Sequence, residues 1–463
     1  MRKLLLVITG FYCLLNICFA QDSVPKLTGN IKISIKEGSI ESDLKLENIP
    51  HLEDYYIRLN KGMNVLNWKS LDGKGFLLHA SVEYDKDSFQ TGESMAYYFL
   101  DNTRKRKYLP NNLEVKYVGK FPVVKDTLND NYMLSDWKGN IAFNSYSLRT
   151  DGAQSSWYPI LYDIKKDLPY DNITYDINVS CIDCKVLYVN GSAPLNSNKG
   201  QFESKNPVPI NLYCGDFKYK EIDSIYFLNP DLNKNQLDSL GRDIDKYKKY
   251  YQQTFAIPYK DAFTLIHTTP LSKRNAWSFA SFPSVVNIGF GKYGLQLYLD
   301  SANRLTIAHE LAHYYFGNYR KFNDVLGDMM LEGFTEYTGM QLMRNLISPN
   351  IYNKILTQKI NILKDFQAVP FGKIKVSSDF QNRELYVYYY APVIFTAIEK
   401  IIGTDNMNSW LKNILNNKEK TTNYAFLSGT LKNVIGEQKF AEIESQLLTS
   451  DISKSNAIEL ISK

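Results

Sequence analysis

The chain has 463 residues, 44% of them hydrophobic and 14% aromatic, which is enough apolar material for two packed domains and excludes a disordered chain. Lys and Arg outnumber Asp and Glu by 54 to 49, a formal net charge of +5. No basic tract of five or more residues occurs, so the footprint of a nucleic-acid binder is missing and no nucleic-acid partner is expected.

Residues 1–20 read as a cleavable signal peptide. Arg2 and Lys3 precede the apolar run Leu4–Cys18, and small residues at Cys18 and Ala20 place cleavage before Gln21. The expected location is therefore secreted, periplasmic or cell-surface. No later stretch reads as a membrane span. Cleavage would leave Cys181, Cys184 and Cys214, which for an exported chain predicts one disulfide and one thiol, with the pairing open. Asn172, Asn178 and Asn190 open glycosylation sequons, informative only in a eukaryotic secretory pathway.

From Gln21 to about Tyr226 the hydrophobic period is two. Ile31, Ile33 and Ile35 alternate with polar residues, as do Ile173, Tyr175, Ile177 and Val179, and turns such as Asp72–Gly75 and Asn190-Gly191 separate the runs. This predicts an antiparallel β domain over 21–228. At Asn229-Pro230-Asp231 the period changes, and Leu237, Leu240, Ile244, Tyr247, Tyr251 and Phe255 fall at helical spacing. A second, mainly helical domain with a small sheet is predicted over 229–463, its strands at Ala262–Thr268 and Ser284–Phe290, followed by a Gly-rich turn at Gly289–Gly294. The fold class is α+β in two domains.

At 309–313 the chain reads His-Glu-Leu-Ala-His. Residues four apart share a helix face, so His309 and His313 can hold one Zn²⁺, and Glu310 sits beside the metal as a general base for water. Asp300 or Ser301 can cap this helix and Gly317 can end it. A third ligand is needed. The downstream carboxylates are Asp324, Asp328, Glu332 and Glu336; the last three share one helical face, and geometry does not choose among them.

HELAHYYFGN followed by LEGFTEY resembles the M1 (gluzincin) aminopeptidase family, whose pattern is HExxH, eighteen residues, then Glu. Positions 314–331 are those eighteen, so the resemblance implies His309, His313 and Glu332 as ligands of one zinc per chain, a peptide or protein substrate, and a saddle-like β domain ahead of a thermolysin-like catalytic domain. DGAQSSWYPILYD (151–163) and the segment Asp176–Gly191 resemble stretches of the family's β domain. No histidine follows His313 to stabilise an oxyanion, and 388–403, YYYAPVIFTAIEKIIG, resembles the segment that carries the family's catalytic Tyr. The register implies Tyr388, with Tyr386, Tyr389 and Tyr390 as neighbours. Glu336 and Asp328, one turn either side of Glu332, are candidate partners for the imidazoles.

Two departures stand out. The family's GxMEN motif, whose Glu grips the substrate's α-ammonium, is absent: the corresponding segment is roughly Trp277–Ile288, and no acidic residue occurs from Ala262 to Leu299. Asp151 is the one replacement that can be named. Otherwise substrate lies along an edge strand at Ser284–Phe290 with its N-terminus ungripped. About 130 residues follow Glu332, which leaves no room for the family's large C-terminal helical domain. The alternative to a zinc peptidase is a non-catalytic peptide-binding or scaffold protein that keeps the fold.

Overall fold

The computed structural model describes residues 24–70, 77–81, 94–100, 103, 105, 108–124, 141–260, 263–268, 277–288 and 294–463. The signal peptide, the Asp72–Gly75 turn and most of the Gly289–Gly294 turn lie outside them. The molecule is α+β, with sheets in the N-terminal half and helices in the C-terminal half.

The period-two runs form strands. Ile173–Cys181 alternates buried and more exposed residues along its length, as does Leu113–Lys120. Both belong to a six-stranded sheet of order Lys199–Val208, Ile173–Cys181, Lys26–Ser34, Ser39–Glu47, Leu113–Lys120, Met63–Ser70. Its neighbours run antiparallel except Lys26–Ser34 and Ile173–Cys181, which pair in parallel from Lys26 opposite Thr174. A parallel pair needs a long crossover, and here most of the domain lies between the two strands. Two five-stranded sheets, centred on Tyr55–Asn60 and on Ser147–Arg149, complete this half.

A fourth sheet supports the helices, in the order Tyr219–Ile222, Ile225–Leu228, Phe263–Thr268, Ser284–Ile288, Trp277–Ser281. The hairpin Tyr219–Leu228 precedes Asn229 yet joins this sheet, through Ile225–Leu228 beside Phe263–Thr268. The expected edge strand is corrected as well. Ser284–Ile288 pairs with Phe263–Thr268 on one side and Trp277–Ser281 on the other, so its backbone is already engaged. Val285 and Val286 are 1% and 0% exposed, as suits an interior strand. Among the described residues the edges of this sheet are Tyr219–Ile222 and, beside Ser284–Ile288, Trp277–Ser281.

The helices are α1 Lys234–Phe255, α2 Arg304–Ala312, α3 Gly327–Leu342, α4 Pro349–Ile362, α5 Arg383–Leu385, α6 Ala391–Ile402, α7 Thr404–Asn416, α8 Tyr424–Ile435, α9 Glu437–Ile443 and α10 Ser453–Ser462. All six apolar residues expected on one face of α1 are buried, and Asn233 and Gln236 close a capping box at its start. The run Arg383–Ile402 is 20 residues long and apolar enough to cross a membrane, which the sequence reading did not anticipate. It is mostly buried, with α6 packed against α3 and α10, and so serves as a core helix.

One apolar core runs through both halves. The joint between them is also polar. Asn190, fully buried, donates through Nδ2 to the Ser281 carbonyl at 2.5 Å and accepts at Oδ1 from Ser284 Oγ at 2.6 Å. Its sequon is therefore closed to modification in the folded protein. Asn172 Nδ2 donates to Asn318 Oδ1 at 2.6 Å, and Asn323 Nδ2 to the Lys166 carbonyl at 3.0 Å.

Candidate metal and catalytic site

The site is built on α2 and α3. Asp300 caps a short turn at Ser301–Asn303, and α2 follows directly. Ile307, Ala308, Leu311 and Ala312 are fully buried and fix its rotation, and the Tyr251 hydroxyl of α1 donates to the Ala308 carbonyl at 2.8 Å. His313 is the C-cap residue but keeps helical backbone, so the i, i+4 spacing from His309 holds. Two glycines let neighbouring helices close on this frame. A Cβ at Gly339 would lie 3.3 Å from the His309 nitrogen, and one at Gly333 would lie 2.9 Å from Ala391 Cβ. α3 is thereby drawn against both α2 and α6.

His309, His313 and Glu332 converge. Glu332 Oε2 lies 3.4 Å from His309 Nε2 and 3.5 Å from His313 Nε2. Ligands bonded at about 2.0–2.1 Å to a tetrahedral ion sit about 3.3–3.4 Å apart, so the spacing suits Zn²⁺. Among the described residues Glu332 Oε2 is buried with no hydrogen-bond partner, an acceptor facing a space that a cation would satisfy. Burial opposes its ionisation, but His313 and His309 outweigh that and hold the carboxyl well below the usual range.

Partners on the far side of each imidazole fix its orientation. His309 Nδ1 lies 2.7 Å from Glu336 Oε2, the contact expected of a carboxylate one turn beyond Glu332. Burial would raise the Glu336 pKa, yet the Lys359 ammonium and His309 lower it to about 2. His313 Nδ1 lies 3.2 Å from the Phe316 carbonyl. Asp328 does not reach a histidine; it forms a two-pronged pair with Arg383 at 2.6 and 2.7 Å. Asp324 bonds the adjacent Val325 nitrogen.

Glu310 and Tyr388 line one cavity of about 360 Å³ with His309, Glu336, Ser278 and Asn287. Ser278, on the edge strand Trp277–Ser281, places Oγ 3.5 Å from Glu310 Oε1. Tyr388 lies on a π-helical turn, Tyr386–Tyr390, between α5 and α6, a local widening that re-aims side chains. Its ring centroid is 5.8 Å from that of His309. The Tyr386 hydroxyl donates to the Val369 carbonyl at 2.7 Å and Tyr390 bonds Ser453 at 2.8 Å, so both phenols are engaged elsewhere. Burial and then the Glu332 charge raise the Tyr388 pKa, against Arg383, so the phenol stays a proton donor at neutral pH.

Asp151 is not available as an ammonium anchor. Its side chain is fully buried and accepts from Arg149 Nε at 2.9 Å inside the β domain. Sequence reasoning did not find Lys359. Its signal was present, a lysine at the third position of the α4 stripe Tyr352, Leu356, Lys359, all three buried. Cys181 and Cys184 are disulfide-bonded and Cys214 is a buried thiol. The three sulfurs lie within 4.8 Å of one another, but the disulfide removes two of them as metal ligands. A hollow of about 790 Å³ on the six-stranded sheet is lined by charges that pair mutually, Lys32 with Glu41 and Lys116 with Asp43.

No known protein-family profile matches the sequence, and no curated protein is significantly similar to it. Solved structures are similar in fold. Native leukotriene A4 hydrolase from Saccharomyces cerevisiae superposes with a TM-score of 0.60 at 14% identity, over 91% of this chain and 66% of that one. An M1 zinc metallopeptidase from Deinococcus radiodurans gives 0.60 at 12% identity, over 91% and 92%. The yeast protein has also been solved with bestatin, and a variant of the bacterial one with a Tyr-Ser-Ala substrate. The chain thus spans about two thirds of the yeast protein and nearly all of the bacterial one, and it has the two-domain fold of the M1 zinc metallopeptidases.

Proposed function

We propose that this chain is an exported zinc-dependent metallopeptidase with one Zn²⁺ held by His309, His313 and Glu332. The observation that carries the reading is the unpartnered Glu332 Oε2 facing both imidazole Nε2 atoms beside a cavity that contains Glu310 and Tyr388. Zinc in such a site acidifies water and polarises a carbonyl. The protein's residues do the rest. The Glu310 carboxylate takes a proton from the attacking water and returns it to the leaving amine. The Tyr388 hydroxyl donates to the oxyanion that develops on the scissile carbonyl. The backbone of Trp277–Ser281, an edge of the sheet among the described residues and next to Glu310 through Ser278, pairs with an extended substrate.

Purified protein should contain about one zinc per chain, and Glu332→Ala should weaken zinc binding by at least about 100-fold. An intact protein with no affinity for zinc would end this reading. Full zinc loading without cleavage of a mixed peptide library would favour the binding or scaffold alternative.

The acceptors around the cavity bear on which end of a peptide is read. Glu336 is committed to His309 and Lys359, and Glu332 faces the imidazoles. With Asp151 also engaged, none of these carboxylates is left to grip an α-ammonium, which is costly to bury unpaired. Among the residues that line the cavity this leaves Glu310, which the mechanism uses as the base, so the reading extends to internal bonds and blocked N-termini. An N-acetylated peptide should be cleaved at a rate comparable to its free form. A drop of a hundredfold in kcat/KM, about 2.7 kcal/mol, would mean an aminopeptidase instead.

A further inference from the structure

We propose that Lys359 is a positioning residue that locks the metal-binding half of the site to the half that carries Tyr388; this role rests on the peptidase reading above. Lys359 is 6% exposed, on the α4 face that also buries Tyr352 and Leu356. Its ammonium bonds Glu336 Oε1, donates to the Tyr388 carbonyl at 2.8 Å and lies 4.8 Å from the centroid of the Tyr389 ring. Glu336 spends its other oxygen on His309 Nδ1. A continuous run of polar contacts thus passes from a metal ligand, through a carboxylate and an ammonium, to the main chain of Tyr388.

Packing alone does not call for this residue. A buried ammonium is unfavourable unless paired and hydrogen-bonded, and the adjoining positions on the same face of α4 are filled by Leu and Tyr. What the ammonium adds is direction. Tyr388 sits in the π turn, where the regular helix ladder is interrupted, and Lys359 supplies a donor to its carbonyl from a separate helix. The same group holds the carboxylate that orients His309. One side chain thereby ties the carboxylate that orients His309 to the main chain that carries Tyr388.

Lys359→Met keeps an unbranched side chain, one atom shorter, and removes the charge. Zinc affinity, measured by chelator competition, should weaken about 10–100-fold, the range for partners that orient a ligand. With the site saturated, kcat should fall about tenfold or more while KM changes less than about threefold. The visible spectrum of the Co²⁺-substituted protein should shift as His309 loosens. Tyr388→Phe should cost less in the Lys359→Met background than in the parent, because the hydroxyl is already displaced. Unchanged zinc affinity and an unchanged cobalt spectrum would overturn the proposal, as would fully additive losses in kcat. If the methionine variant does not fold, Lys359→Arg, which keeps the charge and re-aims the donors, is read the same way and must show losses of the same sign. If the parent protein binds zinc yet cleaves nothing, the peptidase reading fails by itself, and zinc affinity with the cobalt spectrum decides the role of Lys359.

Discussion

Glu310→Gln should keep its zinc and lose turnover by about 10³–10⁴-fold in kcat, the upper range for a positioned acid-base group. Glutamine matches glutamate in size and still hydrogen-bonds, but it cannot accept a proton and hand it on. Glu310 is 8% exposed, and among the described residues its side chain accepts one long hydrogen bond, from Ser278 Oγ at 3.5 Å, so neutralising it breaks no strong pair there. It stands outside the cluster formed by His309, His313 and Glu332, so metal content should not change. Zinc analysis and thermal unfolding check that the variant is intact; peptide hydrolysis measures the loss. Zinc-loaded protein with turnover within a few-fold of the parent would remove Glu310 from the mechanism.

Tyr388→Phe should lower kcat by about 10²–10³ with little effect on KM, the cost of removing one oxyanion donor. The ring, which lies 5.8 Å from both the His309 ring centroid and the Arg383 guanidinium carbon, can stay in place. Only the hydroxyl is lost. Because burial and the Glu332 charge raise its pKa, the parent phenol remains protonated through the neutral range, and the deficit should persist across it. The neighbours are internal controls. Tyr386→Phe and Tyr390→Phe remove bonds to Val369 and Ser453, and should reduce stability more than kcat. A normal kcat for Tyr388→Phe would assign oxyanion stabilisation to another donor.

Much of this site was written in local spacing. His309 and His313 are legible because a helix converts a separation of four into a shared face. Glu332 needed the eighteen-residue interval, since three carboxylates in α3 fit the periodicity equally well. Their separate fates depend on tertiary contacts: Asp328 meets Arg383 from α5, Glu332 faces the imidazole Nε2 atoms, and Glu336 reaches back to His309 Nδ1. The strands were legible as strands but not in their order. Ser284–Ile288 (SVVNI) and Trp277–Ser281 (WSFAS) carry three apolar residues each, so composition did not mark which was interior and which was the edge. Lys359 showed in the sequence as a lysine within an apolar stripe, but its role did not, because its partners are 23 and 29 residues away on other elements and no motif links them.

The hairpin Tyr219–Leu228 has a practical consequence. Severing the chain at Asn229 to isolate the helical half would strip two of five strands from its sheet and leave Phe263–Thr268 with a bare flank. It would also remove Asn190, whose amide holds the turn between Trp277–Ser281 and Ser284–Ile288. A naked strand flank invites pairing with any other chain, so the fragment should precipitate or assemble rather than work as a smaller enzyme. Moving the excision point back to Lys218 would restore the sheet but not the amide. The β half is in this sense a built-in clamp on the turn between Trp277–Ser281 and Ser284–Ile288, and supplying it as a separate polypeptide should rescue the longer fragment and fail to rescue the shorter one.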